Sequence, residues 1–463
     1  MGINRWNQHS QSAPRCNTVS LIHSSSRLCY PVLPPCLFTA TKESFNPWQT
    51  SNLTLIMRIA IVTTWFERGA AYVSKQIADT LLASGQSVFI YARGGEEIAS
   101  ESFPWTNYTV ERDNTPRLPM PTGMNKKRFT QFLRKNAIDL VIFNEQRYWA
   151  PILWTREFGI PSVAYVDYYT TRTVSLFSAY DALICNTNRH YSVFKHHRSC
   201  FYIPWGTDTT QFSPDRPTTA KEKFTFFHSA GMNPYRKGTD LLIQAANQLS
   251  KRRSDFSVLI HTQVPLEKFF PELRPIFNDL TKRGILSIEH RTVSAPGLYH
   301  RGKIYVYPSR LDGIGLTVPE ALSCGLPTIT SDSAPMNEFL SNECGKLVPI
   351  ASTSLRKDGY YWPETTCNVE DLTKIMASYC QNEPAIKLQA VEARRRATAH
   401  LDWSVNSRDL AQLLQGVTLR ETTSEMTKEL TNEDHKTVLY YDRLSFLYNA
   451  FFRVAIAAKN LLK

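Results

Sequence analysis

Ile304-Tyr-Val-Tyr-Pro-Ser-Arg-Leu-Asp-Gly-Ile-Gly-Leu-Thr-Val-Pro-Glu-Ala-Leu-Ser-Cys-Gly-Leu-Pro-Thr-Ile-Thr330 runs through strand, loop, helix and strand in one sweep. Ile304 to Tyr307 is an apolar run that stops at Pro308, as a buried strand does. The helix that follows carries Pro319 in its first turn, where a missing N–H costs little. The glycine-bearing loop between them aims the amides of Gly313, Ile314, Gly315, Leu316 and Thr317 at a helix N-terminus, an end that attracts anions through unpaired donors and its dipole. Asp312 precedes the helix and Glu320 lies on its first turn, with seven residues between them. One carboxylate meets a ligand from the loop and the other from the helix. Phosphate-accepting amides beside two acceptors for hydroxyl groups suit a sugar nucleotide.

The same alternation extends in both directions. Upstream, Phe224-Thr-Phe-Phe-His228 and Phe256-Ser-Val-Leu-Ile260 read as strands flanking a helix from Thr239 to Leu249. Downstream, Lys346-Leu-Val348 completes a sheet, and helices follow near Val369 to Tyr379 and Ala385 to Thr398. An earlier series begins at Arg58-Ile-Ala-Ile-Val-Thr63, with a helix from Tyr72 to Ala83 closed by Gly85 and further strands at Ser87–Ala92, Leu140–Phe143, Ser162–Val166 and Ala182–Cys185. Strands separated by helices imply parallel sheets with right-handed crossovers. The expected fold is α/β, two Rossmann-like domains facing a central cleft at the carboxyl ends of their strands.

Two domains also follow from length, since 463 residues exceed what one core usually holds. The expected division is an N-terminal extension over 1–56, a first Rossmann-like domain over 57–217 and a second, ligand-binding one over 218–402. A helix over 403–417 crosses back to the first domain, and a linker with an amphipathic tail fills 418–463. The extension is rich in Ser, Asn, Pro and Gln, and its apolar pieces are broken by proline, so it reads as disordered. A sharper expectation starts translation at Met57. No uninterrupted apolar core of a secretory signal is found near the start, and no window resembles a membrane span of about 20 apolar residues.

The formal charge of +12 suits phosphorylated ligands, an anionic membrane surface or nucleic acid, and does not choose among them. Nucleic acid is disfavoured because the basic residues are scattered and no recognised motif accompanies them. Nine cysteines lie at irregular spacings, with neither a C-x-x-C pair nor a zinc-type cluster, which fits a reducing cytoplasm. Met124 to Lys135 mixes Phe129, Phe132 and Leu133 with five cations, and the tail from Leu439 to Lys463 repeats the pattern at lower charge. Either stretch could lie on an anionic bilayer; packing on its own domain is the stronger expectation for the first.

Two further motifs flank the opening stretch. Arg68-Gly-Ala70 lies between a strand and a helix start, where Gly69 lets the backbone approach a phosphate or sugar. Tyr235-Arg-Lys-Gly-Thr239 follows the first strand of the second half, so Lys237 sits beside a helix start with Arg236 next to it. Taken alone, each could be a structural turn or a solvated basic loop. Their conjunction in one topology carries the functional reading.

With these residues in view, the chain resembles a retaining glycosyltransferase of family four, with the GT-B fold, over Met57 to about Leu414. Tyr305-Val-Tyr-Pro-Ser-Arg310 through Ser331 is similar to the family's P-S-x-x-E-G-F-G-L-x-x-x-E-A-x-x-C-G-x-P signature. Ile203-Pro-Trp-Gly-Thr-Asp208 with Phe212 and Pro214 resembles its P-N-G-V-D-x-x-x-F-x-P hinge, Lys237-Gly238 its K-G pair, and Trp403 the aromatic before its last helix. The resemblance implies that Glu320 holds ribose hydroxyls and Asp312 faces the donor sugar. It also implies that Gly313, Ile314, Gly315 and Leu316 lend amides to that sugar, and that Thr317 and Gly69 lie near the phosphates. Lys237 would neutralise the leaving diphosphate.

Three departures stand out: Asp312 where the family usually has Glu, shorter by about 1.5 Å of reach; Met232 where an arginine is usual, leaving Arg236 as a substitute; and Asp167 on the acceptor side where a histidine is common. The absence of a D-x-D pair agrees with metal independence, and no cofactor is expected beyond the nucleotide-sugar substrate. The implied partners are a nucleotide sugar and a glycan or lipid-linked acceptor, in the cytoplasm or in peripheral contact with the inner face of an anionic membrane. The alternatives are a GT-B nucleotide-sugar epimerase or hydrolase, and a non-catalytic nucleotide-sugar-binding protein.

Overall fold

The computed structural model describes residues 56–66, 69–93, 105, 107–113, 115, 122–214 and 224–438. The N-terminal extension to residue 55, Arg68, most of the connector over 213–220 and the amphipathic tail over 439–463 therefore lie outside the described residues.

The first sheet comprises β1 (Arg58–Thr63), β2 (Ser87–Ala92), β3 (Thr109–Arg112), β4 (Leu140–Asn144), β5 (Ser162–Tyr165), β6 (Ala182–Cys185) and β7 (Cys200–Tyr202). Its order is β3-β2-β1-β4-β5-β6-β7, with every pairing parallel. The second sheet comprises β8 (Phe224–Gly231), β9 (Phe256–Thr262), β10 (Leu286–His290), β11 (Ile304–Tyr307), β12 (Thr328–Ser331) and β13 (Gly345–Val348). It repeats the pattern as β10-β9-β8-β11-β12-β13, again all parallel. Both are doubly wound, so each has a switch point, at β1/β4 and at β8/β11, where crossovers leave in opposite directions and open a crevice.

Alternation along the strands feeds two faces. Ile59 and Ile61 pack with Val73, Ile77 and Leu81 of helix Gly69–Ala83, while Ala60 and Val62 join Phe129 and Phe132 on the other side. The basic stretch around Lys126 is a helix, Lys126–Lys135, that buries Phe129, Phe132 and Leu133 in its own domain. Its apolar side is thus occupied. No helix among the described residues is long and apolar enough to cross a membrane.

The sequence reads as a connector from Phe201 to Asp208 and on through Ser213 to Ala220, but Phe201 and Tyr202 belong to β7. The chain then crosses to the second domain beside the segment that returns. Thr207 N donates to Leu401 O at 2.7 Å, and Trp403 N donates to Thr207 O at 3.0 Å. A Cβ on Gly206 would stand 2.5 Å from Trp403 N, so a side chain there would wedge the crossings apart. The Trp205 and Trp403 rings lie 4.8 Å apart, and Trp403 Nε1 donates to Gln76 O and Thr80 Oγ1 of the first domain.

Two segments differ from the sequence expectation. A hairpin, β14 (Ile350–Ser354) and β15 (Glu364–Cys367), projects from the second domain. Its turn reaches the first: Tyr361 N donates to Tyr169 O at 2.9 Å, and Tyr168 OH donates to Asp358 O at 3.1 Å. The stretch from Thr418, expected as a polar linker, instead packs on the first domain. Arg420 N donates to Asp181 Oδ1, and a helix over 424–438 follows. Asp434 on that helix accepts from Trp149 N and Ala150 N at 2.9 and 2.8 Å, capping helix Ala150–Arg156 from outside. A polar composition hides such a helix because only a few residues, Leu430 and Asp434 among them, are buried.

The paired crossings make Trp403 a test of how firmly the domains are joined. Trp403→Ala is expected to cost about 3–5 kcal/mol through loss of a buried ring. Trp403→Phe, which keeps the stack and loses only the Nε1 bonds, is expected to cost about 1 kcal/mol. Denaturant midpoints of the two variants check this ordering.

Candidate active site

The site is built where β8 and β11 end, at the second sheet's switch point. β8 delivers the turn Met232–Gly238, and β11 delivers the loop Pro308–Leu316. The two touch backbone to backbone. Gly238 has φ +69°, and a Cβ on it would fall 1.9 Å from Pro308 O, so only glycine fits. Arg236 O accepts from Arg310 N at 2.8 Å and from Ser309 Oγ at 3.1 Å. Arg310 is buried and forms two 2.7 Å bonds to Asp240 and one of 2.6 Å to Tyr235 O. Below them His228 Nδ1 meets Val306 O at 2.7 Å. A carbonyl only accepts, so Nδ1 carries the proton and Nε2 accepts from Thr239 Oγ1 at 2.8 Å. Burial lowers this imidazole to about 4 and keeps it neutral.

This scaffold brings together the residues singled out in the sequence. Lys237 Nζ lies 2.5 Å from Asp312 Oδ2, Tyr307 OH is hydrogen-bonded to both, and Arg236 Nη2 stands 3.7 Å from Asp312 Oδ1. Burial alone would raise the Asp312 carboxyl, but Lys237 and Arg236 hold it well below the usual carboxylate range. Burial lowers the Lys237 ammonium, with Asp312 opposing. Met232 is exposed, and Arg236 supplies the guanidinium beside Asp312. Glu320, on helix Thr317–Ser323, accepts from Tyr299 OH at 2.6 Å; burial raises it to about 7 against that bond and the Lys237 charge.

The loop amides are less uniform than the sequence suggests. Gly313 N is turned onto Asp312 Oδ1 at 3.1 Å, because the carboxylate reaches its own next amide, so it is not directed at a ligand. Ile314 is buried in the core and Gly315 takes φ +85°. Leu316 Cδ1 would meet a Cβ on Gly69 at 3.6 Å, so Gly69, at the start of the first domain's first helix, faces this loop directly. Thr317 opens the helix.

Asp167 follows β5 of the first domain and comes up against Gly313, where a Cβ would be 2.0 Å from Asp167 Oδ1. Burial and the facing Glu145 push the Asp167 carboxyl up, while Arg189 and Arg236 pull it down. Arg189 and His190 were not singled out in the sequence, yet they bind the two domains at the loop itself. Arg189 donates to Asp312 O and to Ala334 O, the latter at 2.7 Å. The Glu338 carboxylate of the second domain accepts from Asn188 N and Arg189 N at 2.6 and 2.9 Å. His190 Nε2 donates to Gly313 O at 3.2 Å, which leaves Nδ1 to accept from Tyr169 OH at 3.0 Å. Tyr169 in turn accepts from Trp362 Nε1 of the hairpin at 2.6 Å. Burial, reinforced by Arg189, lowers His190 well below its ordinary value, so this chain of bonds runs through a neutral imidazole.

Residues 223–355 match the family model described as glycosyl transferases group 1. The lipopolysaccharide core biosynthesis mannosyltransferase LpsB of Rhizobium meliloti is 28% identical over 157 residues, 31% of this chain and 44% of that protein. A GDP-mannose-dependent α-(1-6)-phosphatidylinositol monomannoside mannosyltransferase of Mycolicibacterium smegmatis is 24% identical over 250 residues, 50% of this chain and 59% of that one. The chain thus spans about half the length of these curated relatives. Anabaena HepE, solved with UDP and glucose, superposes with a TM-score of 0.60 at 15% identity, covering 78% of this chain and all of that one (100%), a likeness of fold. Residues 223–355 are thus similar to the group 1 glycosyltransferases, and the two Rossmann-like domains have the GT-B fold.

Proposed function

We propose that this chain is a retaining glycosyltransferase that moves a hexosyl group from a nucleotide-sugar donor to a glycan or lipid-linked acceptor, without a metal ion. It would act in the cytoplasm, meeting a lipid-linked acceptor at the inner face of the membrane. The observation that carries the reading is the cluster of Lys237, Arg236 and Asp312 at the second switch point, opposite Gly69 and Asp167. The names of the relatives, mannosyltransferases of lipopolysaccharide core and of a phosphatidylinositol mannoside, support the donor and acceptor classes.

In the proposed reaction the bond between the sugar's anomeric carbon and the diphosphate breaks, and negative charge grows on the leaving oxygen. Lys237 and Arg236 neutralise it from a site that is already charged and oriented, which stabilises the transition state without reorganisation. The acceptor hydroxyl attacks the same face, and its proton passes to the leaving phosphate oxygen. Asp312, kept ionised by the two cations, accepts from donor-sugar hydroxyls and holds the ring in place. Glu320 accepts from the ribose hydroxyls.

The donor half is tested by melting the protein with a panel of nucleotide sugars. A ligand that binds only the folded state raises the midpoint, increasingly as its concentration exceeds its dissociation constant. One nucleotide class is expected to raise it, and Lys237→Ala and Glu320→Ala are each expected to remove the shift. A normal shift in both variants would refute this site.

A pH profile isolates Glu320. Burial pushes its carboxyl up to about 7, and the ionised form is the stronger acceptor for ribose hydroxyls. Nucleotide affinity is therefore expected to fall as pH drops below that value, approaching about tenfold per pH unit. Glu320→Gln is expected to flatten this dependence. Tyr299→Phe removes a bond that favours the ionised form, so it is expected to move the profile to higher pH. Calorimetric titrations from about two pH units below the Glu320 value to about two above it distinguish these outcomes.

A further inference from the structure

Beside the reaction centre, on the first domain's side, lies a second cavity of about 650 Å³, within the range of ligand sites. One side is formed by residues that follow β4 and β5, Gln146 and Arg147 from one and Tyr168 with Thr170 to Thr173 from the other. One wall is the hairpin turn around Lys357, and another is the helix over 424–438, through Glu433 and Lys436. The cavity begins one residue beyond Asp167, the carboxyl that meets Gly313.

Its chemistry is aromatic and basic. Tyr168 stacks on Tyr360 with ring centres 5.3 Å apart, and the Arg147 guanidinium lies 3.9 Å from the Tyr168 ring centre. The charged lining residues are Arg147, Arg172, Lys357 and Lys436 against Asp358 and Glu433. Both acids already have partners: Asp358 pairs with Arg356, and Glu433 with Arg172, each at 2.5 Å. Arg147, Lys357 and Lys436 enter no ion pair among the described residues. Cations gathered around a recess with protein walls focus their field into it and favour an anionic occupant.

We propose that this cavity receives the acceptor, and that the acceptor is a glycan bearing an anionic group, phosphate or uronate, set apart from the hydroxyl that reacts. The inference rests on the glycosyltransferase reading and adds the acceptor's charge class to it. Arg147, held against the Tyr168 ring, and Lys357 grip the anion. Binding energy gathered there, away from the reacting atoms, positions the acceptor hydroxyl beside Asp167 and Gly313. The hairpin and the C-terminal helix thereby acquire a role as acceptor walls.

The test uses the full chain, saturated with whichever nucleotide raises its melting point, and three oligosaccharides of equal length: neutral, phosphate-bearing and uronate-bearing. At least one anionic ligand is expected to bind about tenfold more tightly than the neutral one, a difference of ~1.4 kcal/mol, and to weaken as salt rises. Preference for phosphate assigns a phosphorylated glycan, and preference for uronate an acidic polysaccharide. The double variant Arg147→Ser with Lys357→Ser is expected to bring anionic affinity down to the neutral level, with the nucleotide melting shift unchanged. Equal binding of all three ligands, discrimination that survives the double variant, or no binding in the millimolar range would overturn the proposal. So would anion binding that is lost in Lys237→Ala and kept in the double variant, since the anion would then occupy the donor site. A missing nucleotide shift, by contrast, counts against the donor site and is read separately.

Discussion

The contact between Gly238 and the Pro308 carbonyl constrains everything at the candidate site. Two loops from neighbouring strands can place Lys237 against Asp312 only if their backbones touch, and a Cβ at residue 238 would leave 1.9 Å where a carbonyl oxygen must sit. The surrounding bonds protect that approach. Arg310 ties the turn to Asp240 and Tyr235, and His228 ties the strand beneath it to Thr239. An ion pair in a buried setting does not by itself favour folding, since desolvation opposes the attraction. Here the scaffold, and not the attraction itself, holds two cations and one carboxylate together.

The second organising feature is that the first domain holds the loop by its carbonyls. Arg189 and His190 donate to Asp312 O and Gly313 O, and neither contact depends on the side chain at the accepting residue. Backbone recognition of this kind fixes where the loop lies while leaving the Asp312 carboxylate to Lys237, Arg236 and Tyr307. It also explains why Asp167 and Gly313 sit so close. The domain that carries Asp167 is the domain that positions Gly313.

Much of the fold was legible because central parallel strands are unbroken apolar runs: β1 and β11 are bounded in the sequence where they are in the structure. The missed strands lie at sheet edges or outside the main sheets. Thr-Val-Glu-Arg at β3 and Leu-Ser-Ile-Glu-His at β10 carry charge because one side faces water, and the hairpin strands β14 and β15 are made largely of Ser and Thr. At the site, Lys237, Asp312, Glu320 and Asp167 could be found because each follows a strand or starts a helix. Arg189, His190 and Arg310 could not, since what they recognise is backbone, or a partner such as Asp240 that is 70 residues away. The helix over 424–438 escaped notice for a related reason: its buried carboxylate Asp434 caps a helix start 284 residues earlier.

The chain of bonds from Trp362 through Tyr169 and His190 to Gly313 joins hairpin, first domain and loop in series. Separating the domains far enough to let water flood the cleft breaks the last link and releases the Asp312 and Gly313 carbonyls together. An opened cleft therefore leaves the loop held by the second domain alone. Whatever occupies the cleft meets the fully held loop only when bulk water is shut out.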